Sequence, residues 1–139
     1  MIKRSVVFLC IMLLAGSAGI AMADHHAVKI TAKADLGHYL TDAKGMTLYW
    51  FKKDSKDKSA CAGECLVNWP IYHRESVAAP KGIEPTDFAT ITREDGKKQT
   101  TFRGYPLYYF FKDGSPGDTA GHGAKDVWFV VDPLNFPPK

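Results

Sequence analysis

Two stretches of this chain are one segment written twice. Gly45-Met-Thr-Leu-Tyr-Trp-Phe-Lys-Lys-Asp54 and Gly104-Tyr-Pro-Leu-Tyr-Tyr-Phe-Phe-Lys-Asp113 carry Gly, Leu, Tyr, Phe, Lys and Asp in step. Gly45 falls on Gly104, Leu48 on Leu107, Tyr49 on Tyr108, Phe51 on Phe110, Lys53 on Lys112 and Asp54 on Asp113, always at an offset of 59 residues. The same offset carries Thr41 to Thr100 and Trp69 to Trp128. Unrelated segments share roughly one identity in fifteen to twenty aligned positions, so this is an internal repeat. The copies run over about 37–72 and 96–131. Neither can bury its aromatic strand alone, so one domain is expected, its two similar halves packed face to face about a pseudo-twofold axis.

The residues within each copy point to strands. Val28–Ala32 alternates apolar and polar, and His38–Thr41 follows as a second short strand. Asp42 to Gly45 reads as a turn, Gly45 being free to take a positive φ. Met46–Phe51 is apolar on both faces, Leu48 and Trp50 pointing one way and Tyr49 and Phe51 the other. Such a strand belongs between two layers or inside a closed sheet. In the second copy Phe88–Arg93, Gln99–Arg103, Pro106–Phe111 and Val127–Val131 read as strands, with Asp95-Gly96 as a hairpin turn. Glu75–Pro85 connects the copies, Asp113–Gly123 is a glycine-rich loop, and prolines 133, 137 and 138 make an extended tail. Cys61–Trp69 predicts one short helix, which Pro70 would end. The fold class expected is all-β: a small antiparallel sandwich or barrel-like domain built from two pseudo-symmetric repeats, with that single helix.

The start of the chain has another purpose. Lys3 and Arg4 precede an apolar run, Val6–Leu14, and Ala21-Met-Ala23 is a small-x-small cleavage signal. Residues 1–23 therefore read as a secretory signal peptide, its apolar run too short for an ordinary membrane span. Cys10 follows Phe8-Leu9, too bulky for a lipidation site, so no lipid anchor is expected. The remaining domain, 24–139, holds 16 basic and 15 acidic residues, a balance that argues against nucleic acid as a partner. An exported protein, periplasmic or secreted and without a membrane span after cleavage, is the expectation.

Cysteine usage agrees with export. Cys61 and Cys65 remain once the leader is gone, and a disulfide is expected in an oxidising compartment. On a helix they would lie one turn apart, and so small a loop contributes about 2 kcal/mol on the chain-entropy estimate. A c-type haem site or a thioredoxin-like site would need Cys-x-x-Cys, which this spacing is not.

Tyr49-Trp-Phe-Lys-Lys-Asp54 and Tyr108-Tyr-Phe-Phe-Lys-Asp113 both fit Tyr-x-Phe-x-x-Asp. With Cys61-x-x-x-Cys65 and Trp69-Pro70 between them, the chain resembles the bacterial family called secreted repeat of unknown function, also described as predicted lipoproteins with a Tyr-x-(Phe/Trp/Tyr)-x-x-Asp motif. The resemblance spans about Leu36 to Pro133. It implies export and brings no settled activity.

Each candidate site has two readings. Tyr49, Tyr108, Trp69 and Trp128 are expected as core, since aromatic residues on strands are most often packing residues; the alternative is a groove for a flat or sugar-like ligand. Phe51 and Phe110 belong to the same motif. Asp54 and Asp113 each open a loop and are expected to accept its backbone N–H groups; as a pair they could instead hold a cation. Cleavage after Ala23 would make His26 the third residue, where amine, amides and imidazole can form a square-planar Cu(II) or Ni(II) site, with His25 adding a second imidazole. No cofactor is otherwise expected. No catalytic motif is present, and His38, His73 and His122 are scattered. The function expected is therefore a non-enzymatic envelope protein, a binding or scaffold module for an unknown partner. The alternative is periplasmic metal handling or a redox accessory role.

Overall fold

A computed structural model describes residues 25–139. The leader expected at 1–23 and its cleavage site lie outside the described residues. The strands are β1 (Lys29–Lys33), β2 (Gly37–Thr41), β3 (Tyr49–Phe51), β4 (Phe88–Thr92), β5 (Lys98–Phe102), β6 (Tyr105–Pro106) and β7 (Trp128–Val130). They form three small antiparallel groups, β1-β2, β3-β7 and β4-β5-β6. The helix α1 covers Glu64–Asn68. The all-β expectation holds, with a finer arrangement than the pattern alone suggested.

The two copies share one central ladder. Tyr49 and Tyr108 are direct partners: each backbone N–H donates to the other's carbonyl, at 2.9 and 3.0 Å. Outward from this pair, Tyr49 sits opposite Val130 and Tyr108 opposite Ile71. The row Val130, Tyr49, Tyr108, Ile71 therefore reads the same from either end, since Ile71 and Val130 are themselves 59 residues apart. A pseudo-twofold axis runs between the two tyrosines. The halves thus join edge to edge through backbone as well as through side chains.

This ladder divides the interior. Leu48, Trp50 and Leu107 face one core, with Leu40, Tyr72, Phe102 and Val131. Tyr49, Phe51 and Tyr108 face the other, with Tyr39, Cys61, Trp69, Trp128 and Val130. The alternation expected for Leu48–Phe51 is what separates two apolar layers.

Several expected boundaries need correction. Pro106–Phe111 is not a full strand: only β6 and the pairing at Tyr108 are regular. The reason lies in its neighbour. β3 pairs with β7 through Phe129, but the residue 59 positions before Phe129 is Pro70, which has no N–H to give a ladder. The constant offset also fails upstream of the turn. Leu48 donates to the Leu40 carbonyl whereas Leu107 donates to that of Thr100, a step of 60, so Thr41 corresponds to Thr101 and the first turn is one residue longer. The helix begins only after Gly63, whose φ of 58° breaks it from Cys61. Cys61 and Cys65 are nonetheless joined, with Cα atoms 5.4 Å apart, and the Cys65 carbonyl receives the N–H of Trp69.

Glycines mark where the copies interlock. Gly45 and Gly104 both have φ of 87°. The carbonyl of Gly45 accepts the Gly117 N–H, and that of Gly104 accepts the Asp57 N–H, so each turn is tied to the loop of the opposite copy. Gly121 is needed for space. A Cβ there would lie 2.8 Å from Trp69 and 2.9 Å from Phe110. Gly121→Ala should therefore cost about 2 kcal/mol in urea unfolding, as overpacking does, while Gly114→Ala, with open space around it, should be near neutral. Equal midpoints for the two variants would contradict the close packing assigned to Gly121.

Candidate functional site

The motif residues form a reciprocal latch. Tyr49 Oη donates to Asp113 Oδ2 at 2.6 Å, and Tyr108 Oη donates to Asp54 Oδ2 at 2.7 Å. Each tyrosine thus serves the aspartate of the other copy. The second oxygen of each carboxylate holds its own loop: Asp54 Oδ1 accepts the Ala60 N–H at 2.6 Å, and Asp113 Oδ1 accepts the Ala120 N–H at 3.0 Å. The loop-entry role expected of both aspartates is present. The crossing partner was not legible in the sequence, because a Tyr and an Asp in each copy can pair within the copy or across it.

The other motif residues stack by the same exchange. Trp69 and Trp128 lie parallel, 3.8 Å between ring centroids and 3° between planes. Phe51 stacks on Trp128 at 4.1 Å and Phe110 on Trp69 at 4.3 Å. The order Phe51, Trp128, Trp69, Phe110 alternates between the copies. Tyr49 and Tyr108 meet Trp69 and Trp128 edge-on, at 5.5 and 5.1 Å. Such contacts add about 0.5–1.5 kcal/mol per pair beyond area burial.

Burial decides between core and groove for these rings. Tyr49 and Tyr108 are wholly buried, and Trp69 and Trp128 are only 6% and 3% exposed. Tyr49 and Tyr108 belong to the core, where all four rings pack against one another. Trp69 and Trp128 also line a cavity of about 330 Å3 with Phe51, Cys65, Lys53 and Lys125.

The latch is electrostatically asymmetric. Burial pushes Asp54 up to about 6, outweighing the opposing pull of the Ala60 N–H, the Tyr108 hydroxyl and the Arg93 charge. Burial raises Asp113 as well. Both tyrosine phenols are pushed well above their ordinary range, first by burial and then by the neighbouring carboxylates. On the Asp54 side a buried arginine completes a chain. Arg93 Nη1 donates to Ser59 Oγ at 2.7 Å, which lies 2.6 Å from Tyr108 Oη, while Nη2 donates to the Cys61 carbonyl. Since Tyr108 gives its proton to Asp54, Ser59 gives its own to Tyr108. The first copy has Lys33 in place of Arg93, exposed and reaching Thr119 Oγ1 at 3.0 Å.

The remaining candidates stand apart. His25 and His26 are exposed near the start of the described chain, where their carbonyls accept from Arg74 Nε and the Ala78 N–H. Residue 24, which would supply the amine of a copper or nickel site, lies outside the described residues. Among the described residues no group of three or more His, Cys, Asp or Glu side chains is placed to hold a metal ion. His73 lies 3.5 Å from Glu75, and His122 Nδ1 accepts the Val130 N–H, with burial lowering its pKa.

One concave surface was missed by the sequence reading. A cleft of about 620 Å3 opens over the first core, with Trp50, Tyr105, Phe129 and Phe136 as its aromatic walls. Trp50 meets Phe136 edge-on at 5.2 Å and Tyr105 at 5.9 Å. Phe136 belongs to the tail, which the pattern gave only as an extended end.

These features define a duplicated all-β domain whose copies exchange Tyr–Asp and Phe–Trp partners around one disulfide. The sequence profile described as secreted repeat of unknown function matches residues 30–72 and 89–132, more than half of the chain. The chain belongs to that family, and it is accordingly an exported protein. No curated protein and no solved structure matches it. Among the described residues no helix is long and apolar enough to cross a membrane.

The shift at Asp54 has a testable consequence. Below pH 3.8 the folded and unfolded chains both carry the proton, and burial costs nothing there. Between about 4 and 6 the folded chain holds a proton that the unfolded chain has lost, so stability falls as pH rises, and it levels off above 6. A shift of this size corresponds to about 3 kcal/mol. Relative to wild type, Asp54→Asn should therefore gain about that much between pH 4 and pH 7 in denaturant unfolding. A difference that stays flat over this range would show that the carboxylate is not penalised by burial.

Proposed function

We propose that this protein is a non-enzymatic binding module of the cell envelope, and that its working surface is the cleft walled by Trp50, Tyr105, Phe129 and Phe136. The observation that carries this reading is where the pseudo-symmetry breaks. Residues related by the axis hold the two copies together, and their side chains are consumed by that task. The residues that wall the cleft are not repeated at the equivalent positions: Tyr109 stands for Trp50, Met46 for Tyr105 and Pro70 for Phe129. Trp50 corresponds to Tyr109, whose hydroxyl donates to Asp42 Oδ2 at 2.8 Å and whose ring is met edge-on by Tyr72. Arg74 reaches the same hydroxyl at 3.4 Å and closes that side.

The cleft also depends on Phe136 and Pro138, which follow the last residue matched by the family. Its volume lies within the range of small-molecule sites, about 300–1,000 Å3, and its mix of aromatic walls and a few polar groups is the usual composition of such sites. Catalysis is not part of the proposal: the two carboxylates of the cleft, Asp54 and Asp132, are both engaged in hydrogen bonds that hold the fold.

Neutral ring compounds such as indole or naphthalene-2-methanol test the reading by NMR. The side-chain indole N–H of Trp50 should shift and saturate on titration, while those of Trp69 and Trp128 stay still. Movement of the two buried tryptophans instead, or no saturation at any site, would contradict it.

A further inference from the structure

We infer that the cleft takes a flat, ring-bearing small molecule that carries an anionic group; this inference rests on the binding reading above and names the ligand class. The charged residues at the rim are two lysines, Lys52 and Lys139, and two aspartates, Asp54 and Asp132. Among these four side chains formal charge cancels, so their availability decides which sign a ligand meets.

Both carboxylates are already committed. Asp54 accepts from Tyr108 Oη and the Ala60 N–H. Asp132 accepts the Leu134 N–H through Oδ1 at 2.9 Å and the Asn135 side-chain amide through Oδ2 at 2.8 Å. Among the described residues neither lysine ammonium has an ion pair or a side-chain hydrogen bond: the four salt bridges involve Lys58, His73, Arg93 and Arg103. Lys52 is held in place at its backbone, where its N–H donates to the Val127 carbonyl at 2.7 Å, so its side chain starts from a fixed point at the mouth of the cleft. A ligand carboxylate or phosphate would therefore meet two unpaired cations, and a ligand ammonium would have to displace hydrogen bonds that hold Asp54 and Asp132.

The walls set the other half of the chemistry. Trp50 is 9% exposed and Phe136 6%, so both form the floor, while Tyr105 and Phe129 are half-buried and present ring surface to an occupant. Aromatic surfaces at such a spacing favour a flat ring system, which can stack or meet them edge-on. The position of Lys52 is again specific to the first copy. Its counterpart is Phe111, an exposed ring with Lys112 over it.

The test compares 2-naphthoate with naphthalene-2-methanol, which differ in charge and share the ring. Binding is read from the Trp50 indole N–H at low and at high salt. The naphthoate should bind about tenfold more tightly at low salt, as expected for a charge-assisted contact, and the advantage should shrink as salt screens it. The double variant Lys52→Met, Lys139→Met should bring the two probes to within about twofold. Its lysines are exposed and unpaired, so folding should be unaffected. Equal affinities in the wild type would overturn the anion preference and leave the cleft as a neutral ring site. Failure of both probes to saturate would overturn the binding reading itself.

Discussion

Two buried phenols, each donating its proton to a carboxylate of the other copy, hold this fold in register. A buried carboxylate is costly unless it is fully hydrogen-bonded, and each aspartate here needs a hydroxyl that only the opposite copy provides. A one-residue slip of the central ladder would turn both tyrosines into the other core and strand both carboxylates. The backbone pairing of Tyr49 with Tyr108, the stack of Phe51, Trp128, Trp69 and Phe110, and the turn contacts of Gly45 and Gly104 all follow from the same register. The repeated Tyr-x-Phe-x-x-Asp motif is in this chain a device for joining two copies.

That assignment changes where function should be sought. Residues most evident in the repeat are occupied with one another and offer a ligand almost no surface. The aromatic cleft proposed for binding lies where the copies differ: at Trp50 rather than its counterpart Tyr109, at Lys52 rather than Phe111, and along the tail that brings Phe136 against Trp50. Duplication explains how such a division arises. Two identical halves satisfy the requirement for a core, and one half is then free to depart from the pattern without loss of the latch.

Much of the framework was legible in the sequence. Leu48 and Trp50 against Tyr49 and Phe51 gave the two layers, since strand periodicity assigns alternate residues to opposite faces. The Cys61–Cys65 bridge followed from spacing and compartment, and the loop-holding role of Asp54 and Asp113 from their place after a strand. What was not legible depends on contact between distant segments. An offset of 59 shows that Tyr49 and Tyr108 are equivalent, but equivalence does not say that each is paired with the other's aspartate. The weakened second strand turns on Pro70, which acts on a distant neighbour, Tyr109, rather than on its own segment. The cleft was hidden because Phe136 has no periodic context, and a lone aromatic residue in a proline-rich tail gives no sign of which core it covers.

The central claim is that the two copies form one cooperative unit closed at Tyr49 and Tyr108. Native-state hydrogen exchange at the Leu48 and Leu107 amides measures it most directly, because each is bonded within its own copy, to the Leu40 and Thr100 carbonyls, and reports the opening of that copy. The account predicts that the two amides exchange only through global unfolding, with the same opening free energy and the same denaturant dependence. Exchange of one amide through a partial opening of markedly lower free energy, with the other still protected, would mean that one copy stands without its partner and would contradict the account.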